Sequence, residues 1–187
     1  MPSETYSLNE FVSDLRRITG ETTDERKILS MVRPLAKKAA LDRSWLSLDH
    51  YKVDPEQGFG SNLLHVESDN SLFIVAVSWL PGRGAPAHDH GTWAVVVGVD
   101  GPERNIFWER LDDGTRQGHA ELRSRGDKTL SEGDVVAMPT GAIHSVRNET
   151  SQTTLSFHVY GQHLNHTGRS KFDPENSTHE PFIIRTQ

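Results

Sequence analysis

The chain has 187 residues, enough for one domain with a buried core. Its 26 acidic and 20 basic side chains leave a formal charge of −6, which argues against nucleic acid or an anionic membrane as partner. It has no cysteine, so disulfides, a thiol nucleophile and thiolate metal ligands are excluded.

The first fifty residues read as helical. Ser7 and Glu10 have capping-box spacing, and Phe11, Leu15 and Ile18 follow at helical intervals before Gly20. Thr22 or Thr23 starts a second helix carrying Ile28, Leu29, Val32, Leu35, Ala36 and Ala39, with a break expected at Pro34. Residues 1–50 are thus predicted to form a helical hairpin packed on the outside of the main domain, 51–187. From Asn62 the pattern changes to short β-rich runs at 62–66, 72–80, 93–99, 105–110, 118–123, 127–130, 134–139, 143–148 and 153–160. Gly, Asp and Asn punctuate these runs, which predicts a mainly β fold, a sandwich or barrel. The last 25 residues read as polar and irregular, ending in the apolar patch Pro181-Phe182-Ile183-Ile184. No leader pattern opens the chain and no apolar run approaches the ~20 residues that span a bilayer. The expectation is a soluble, cytoplasmic protein, with its oligomeric state left open.

Chemistry concentrates in two histidine segments. His88 and His90 stand two residues apart, so on a strand they point to one face. His144 would join them from a neighbouring strand, and three converging imidazoles predict a metal site, with Asp89 turned away from it. Ser156, His158 and Tyr160 alternate with Phe157 and Val159, so all three polar groups share the other strand face. Burying hydroxyl, imidazole and phenol together is costly unless they hydrogen-bond one another. The row therefore reads as a relay in which the serine orients the histidine and the histidine orients the tyrosine toward the metal. Trp79 and Trp93 are expected to be barrel packing. His65 is a possible pocket residue, and His50, His119, His163, His166 and His179 are expected at the surface.

Gly82, His88 and His90 spell G-x5-H-x-H, and Gly133, Pro139, Gly141, His144 and Asn148 spell G-x5-P-x-G-x2-H-x3-N. These paired motifs resemble those of the cupin superfamily, and the resemblance implies a double-stranded β-helix, a small jelly-roll barrel with its metal inside. Many cupins add a glutamate ligand three or four residues after H-x-H; here Trp93, Ala94 and Val95 occupy that stretch. Three neutral imidazoles leave a divalent ion its full charge, which favours anionic co-ligands such as a thiolate. Together with Ser61-Asn62-Leu63 and Trp79, the S-x-H-x-Y row is similar to that of the cysteine dioxygenase family, over about residues 60–170.

That resemblance implies a non-haem Fe(II) enzyme that adds O2 to a small thiol carboxylate to give a sulfinic acid. His88, His90 and His144 would hold the iron, with Tyr160, His158 and Ser156 catalytic. Animal-type members crosslink the tyrosine to a cysteine, which this chain lacks. They also carry an arginine where Ser61 stands here. Bacterial 3-mercaptopropionate dioxygenases lack the crosslink and use an arginine nine residues beyond the relay tyrosine, which is Arg169 in this sequence. Arg83 and Arg147 are the reserve clamps. Two other classes stand beside this reading: a cupin isomerase or epimerase using the metal as a Lewis acid, and a non-enzymatic cupin that binds a small molecule.

Overall fold

The computed structural model describes residues 5–187; residues 1–4 of the predicted N-terminal segment lie outside the described residues. Helix α1 (Leu8–Glu21) begins with the expected capping box: Glu10 N–H donates to Ser7 Oγ and Ser7 N–H to the Glu10 carboxylate. Helix α2 (Glu25–Asp42) starts later than expected, at Asp24, whose carboxylate accepts from the Arg26 and Lys27 amides. The predicted break at Pro34 does not occur, and α2 runs through it. Pro34 lies on the exposed side of the helix, where solvent can satisfy the carbonyl its missing N–H leaves free.

Eleven strands follow: β1 (Phe59–His65), β2 (Ser71–Trp79), β3 (Gly84–His88), β4 (Ala94–Asp100), β5 (Glu103–Arg110), β6 (Leu122–Leu130), β7 (Val135–Met138), β8 (Ile143–Arg147), β9 (Thr154–Gln162), β10 (Ser170–Asp173) and β11 (Thr178–Pro181). They form two antiparallel sheets, ordered β1-β2-β9-β4-β7 and β11-β10-β3-β8-β5-β6. Within them, β2-β9-β4-β7 faces β3-β8-β5-β6, the strand order of a jelly roll. The protein is therefore mainly β, a double-stranded β-helix of the cupin type with two helices at its N-terminus.

Three differences from the sequence expectation have local causes. Of the predicted strand at 118–123 only residues 122–123 are in a strand, the start of β6, and His119 makes a single bridge to Thr178. The runs at 118–123 and 127–130 give way to a single strand, β6, which bulges opposite Phe107 and Trp108 near Gly126 (φ 115°). The polar tail contains β10 and β11, whose exposed alternation is a weak signal at a sheet edge.

Helices, first sheet and second sheet stack as three layers. On β2, β4 and β9, Ile74, Ala76, Val95, Val97, Phe157 and Val159 turn toward the helices and share a core with Phe11, Leu15 and Val32. Their alternates, including Phe73, Val75, Val96 and Tyr160, turn into the barrel. Both faces of this sheet are buried, so its strands read as continuous apolar runs. The polar row on β9 thereby faces the barrel interior.

Candidate metal centre

The histidines come from β3, the loop after it, and β8. His88 closes β3, whereas His90 lies beyond the strand; the strand expectation holds for His88 alone. Convergence survives because β3 and β8 pair His88 with His144. Asp89 turns outward as expected, and its carboxylate accepts the Ser170 N–H at 2.8 Å, pinning β10 to the ligand loop. The second motif's glycines stand where the chain needs positive φ, at Gly133 (77°) and Gly141 (84°). Asn148 closes the motif by donating to the Trp79 and Gln152 carbonyls.

One ligand atom from each of His88, His90 and His144 lies within 4.8 Å of the others, and all three residues are buried. The His90 and His144 Nε2 atoms are 3.2 Å apart, close to the ~3.0–3.4 Å expected when two imidazoles share an ion at ~2.0–2.1 Å. His88 Nδ1–H donates to the Pro86 carbonyl at 2.8 Å, which leaves its Nε2 bare. His144 Nδ1 meets Asn105 Oδ1 at 2.9 Å, and the same assignment follows. Burial is the largest cause lowering the pKa of each ring, and His144 is brought down to about 3. Neutral imidazoles with bare nitrogens aimed at one point are the donor set a divalent metal requires, so these residues fit the ion.

Beside this cluster stands the β9 row. Ser156 Oγ lies 2.8 Å from His158 Nε2, and His158 Nδ1 lies 2.7 Å from the Tyr160 hydroxyl. The Tyr160 ring sits 5.1 Å from that of His90, centroid to centroid. Burial brings His158 down to about 3, so it is neutral, and pushes the Tyr160 phenol upward.

Arg169 is buried in the same place, 4% exposed. Its Nε–H donates to the Phe182 carbonyl and its guanidinium lies over the Phe182 ring, while Nη2 has no partner. Burial pulls it down to about 10, with no carboxylate in contact. A small cavity of about 30 Å³ is lined by His88, His144, His158, Tyr160, Arg169 and Ser61, among others. Phe182 and Ile184 near the end of the sequence line it as well. Gln187 and Ser61, with Leu63, hold that tail to β1 through main-chain bonds.

The structure brings together His88, His90, His144, Ser156, His158, Tyr160 and Arg169. Arg83 and Arg147 are exposed, and Arg147 lines a separate open groove outside the barrel. His65 pairs with Glu67 away from the cavity. Trp79 does more than pack, since its indole N–H donates to Ser156 Oγ at 3.2 Å. Sequence reading missed Glu103 and Asn105 of β5. Glu103 is 2% exposed and 2.7 Å from Ser156 Oγ, and Asn105 holds His144. Their i, i+2 spacing on a strand, with the charged Arg104 between them on the other face, was the available signal.

The fold and site together define a cupin barrel with a candidate three-histidine metal centre. No protein-family model matches the chain. Among solved structures, oxalate oxidase in complex with glycolate is similar at 16% identity and a TM-score of 0.48, over 63% of this chain and 57% of that one. A double-stranded β-helix protein from Klebsiella pneumoniae has the same identity and score, over 67% and 88%. The cupin domain of Schizosaccharomyces pombe Cnp3 is 13% identical with a TM-score of 0.47, over 62% and 72%. The chain thus spans little more than half of the oxalate oxidase it resembles, and at these identities none of their chemistry carries over.

Proposed function

We propose that the protein is a thiol dioxygenase that holds Fe(II) on His88, His90 and His144 and converts a small thiol carboxylate to its sulfinic acid. One observation carries this reading: the Tyr160 hydroxyl and Arg169, whose Nη2 has no partner, line one small cavity together with His88 and His144, and His90 completes a carboxylate-free group of three imidazoles beside it. Bound there, Fe(II) supplies redox chemistry with O2 and lowers the pKa of a ligating thiol.

The protein's own groups do the rest. Arg169 offers Nη2 to the substrate carboxylate, and its charge is strong in so dry a site. Because Arg169 lines the same cavity as His88 and His144, a molecule reaching both is short, with thiolate and carboxylate at its two ends. His158 and Ser156 hold the Tyr160 hydroxyl in place, where it hydrogen-bonds the reacting sulfur or oxygen. Phe182 and Ile184 keep water out.

A sugar isomerase would want a carboxylate exposed to substrate. Glu103 is a carboxyl inside the barrel, but it lies behind Ser156 and does not line the cavity. The decisive experiment is oxygen consumption by the Fe(II)-loaded protein with 3-mercaptopropionate, cysteine, mercaptosuccinate and cysteamine. Uptake with one oxygen molecule per sulfinate formed is expected for a carboxylate-bearing thiol. Absence of thiol-dependent uptake refutes the reading.

A further inference from the structure

Glu103 is a carboxyl buried at the heart of the barrel, and the relay as read above leaves it without a part. Its two oxygens reach in two directions. Oε2 lies 2.7 Å from Ser156 Oγ, and Oε1 lies 3.2 Å from Asn105 Nδ2. Asn105 Oδ1 in turn accepts from His144 at 2.9 Å. Glu103 is thus the node that joins the tyrosine arm, through Ser156 and His158, to the metal arm, through Asn105.

The proton inventory of this chain allows two directions. Ser156 Oγ always accepts the Trp79 N–H, because an indole nitrogen is a donor only. If Glu103 is ionised, Ser156 O–H donates to it, His158 donates Nε2–H to Ser156, and Tyr160 spends its only proton on His158 Nδ1. If Glu103 is neutral, every bond reverses. Its O–H donates to Ser156, Ser156 donates to His158 Nε2, and His158 donates Nδ1–H to the Tyr160 oxygen. The Tyr160 proton is then free to face the cavity. Both arrangements satisfy Ser156, His158 and Glu103 fully, so the carboxyl proton alone selects between them.

We infer that Glu103 is a positioning residue, a neutral carboxylic acid at the far end of the relay whose proton turns the chain so that Tyr160 donates into the metal site. Its surroundings favour that form. Its hydrogen-bond partners, Ser156 and Asn105, are not cations, and burial raises its pKa by more than the hydrogen bonds around it lower it. His158, the next titratable group along the chain, is itself held neutral. The consequence for turnover rests on the thiol dioxygenase reading, whereas the direction of the chain does not.

The tautomer of His158 reads that direction without any substrate. In protein labelled with 15N-histidine and loaded with Zn(II), a long-range proton–nitrogen correlation shows which ring nitrogen carries hydrogen, with the His158 signals assigned by their loss in His158→Gln. Hydrogen on Nδ1 is expected; hydrogen on Nε2 overturns the inference. Glu103→Gln supplies a permanently neutral partner. Asn105 Nδ2 holds the new amide oxygen, so the amide nitrogen faces Ser156 and donates as the acid did. His158 should keep its hydrogen on Nδ1 in that variant, and a switch to Nε2 counts against the inference. Glu103→Leu is expected to lower kcat about tenfold, and Glu103→Gln to recover most of that loss. A glutamine variant as slow as the leucine one would show that the negative charge is needed, and the inference fails. If Glu103→Gln does not fold, the wild-type tautomer decides alone. Lack of oxygen uptake with thiols would refute the dioxygenase reading and leave the tautomer result standing.

Discussion

Arg169→Met separates recognition of the substrate from stability of the barrel. In the folded protein burial draws the guanidinium well below its ordinary value, to about 10, at 4% exposure. At ~1.4 kcal/mol per pH unit this corresponds to about 3 kcal/mol of burial cost. Against it stand the charged hydrogen bond to the Phe182 carbonyl and the stacking on the Phe182 ring at 4.2 Å. Together these are worth roughly 2–3 kcal/mol. Methionine fills a similar volume without the charge, so the two sides nearly offset and Tm should move by no more than ~4 °C. Binding behaves differently, because a substrate carboxylate then enters a dry site with no partner. A loss of about 3 kcal/mol, or on the order of 10²-fold in kcat/KM, is expected for 3-mercaptopropionate or cysteine. Cysteamine has no carboxylate and carries a cation that Arg169 repels, so its kcat/KM should hold steady or rise. Oxygen-electrode kinetics on the two thiols, with a melting curve as control, decide the matter. An equal fall for both, or none for the carboxylate thiol, would refute the assignment of Arg169.

Three further outcomes follow from the same geometry. Tyr160→Phe should lower kcat by ~10²-fold with metal content unchanged, since the hydroxyl is a donor and not a ligand; unchanged turnover would remove it from the mechanism. Asn105→Leu takes away the acceptor of His144 Nδ1–H and should weaken metal binding by ~10–100-fold in a chelator competition, and equal affinity would show that this contact orients nothing. In the metal-free protein, His144 and His158 sit near 3 when folded against 6.5 when unfolded. The unfolded chain binds more protons in that window, so stability is fully present above about 6.5 and falls as pH drops toward 3. Each ring contributes ~1.4 kcal/mol per pH unit, and Glu103, whose folded pKa is raised, opposes them in part. Urea denaturation between pH 7 and 5 should show the loss, and a flat profile would contradict the neutral, buried imidazoles.

Capping residues, period-two runs and motif glycines act through neighbours in sequence, so the hairpin, most strands and the three clustered histidines are legible from the order of residues alone. The β9 row is legible for the same reason, since alternation puts Ser156, His158 and Tyr160 on one face. What happens at Pro34 is not, because it turns on which side of α2 meets solvent. Nor is the choice among Arg169, Arg83 and Arg147, three arginines near the motifs or the tail, of which only one folds inward.

By itself, then, the sequence determined a mainly β barrel of the cupin type, a candidate three-histidine metal centre and a polar row aimed at its interior. Tertiary structure alone decided that Arg169 is buried beneath Phe182, that Trp79 is tied to Ser156, and that Glu103 and Asn105 join Ser156 to His144. Each of these depends on contacts between residues 13 to 77 positions apart, or between strands of opposite sheets. Burial, which turns such contacts into chemistry by removing water, exists only once the two sheets have closed on one another.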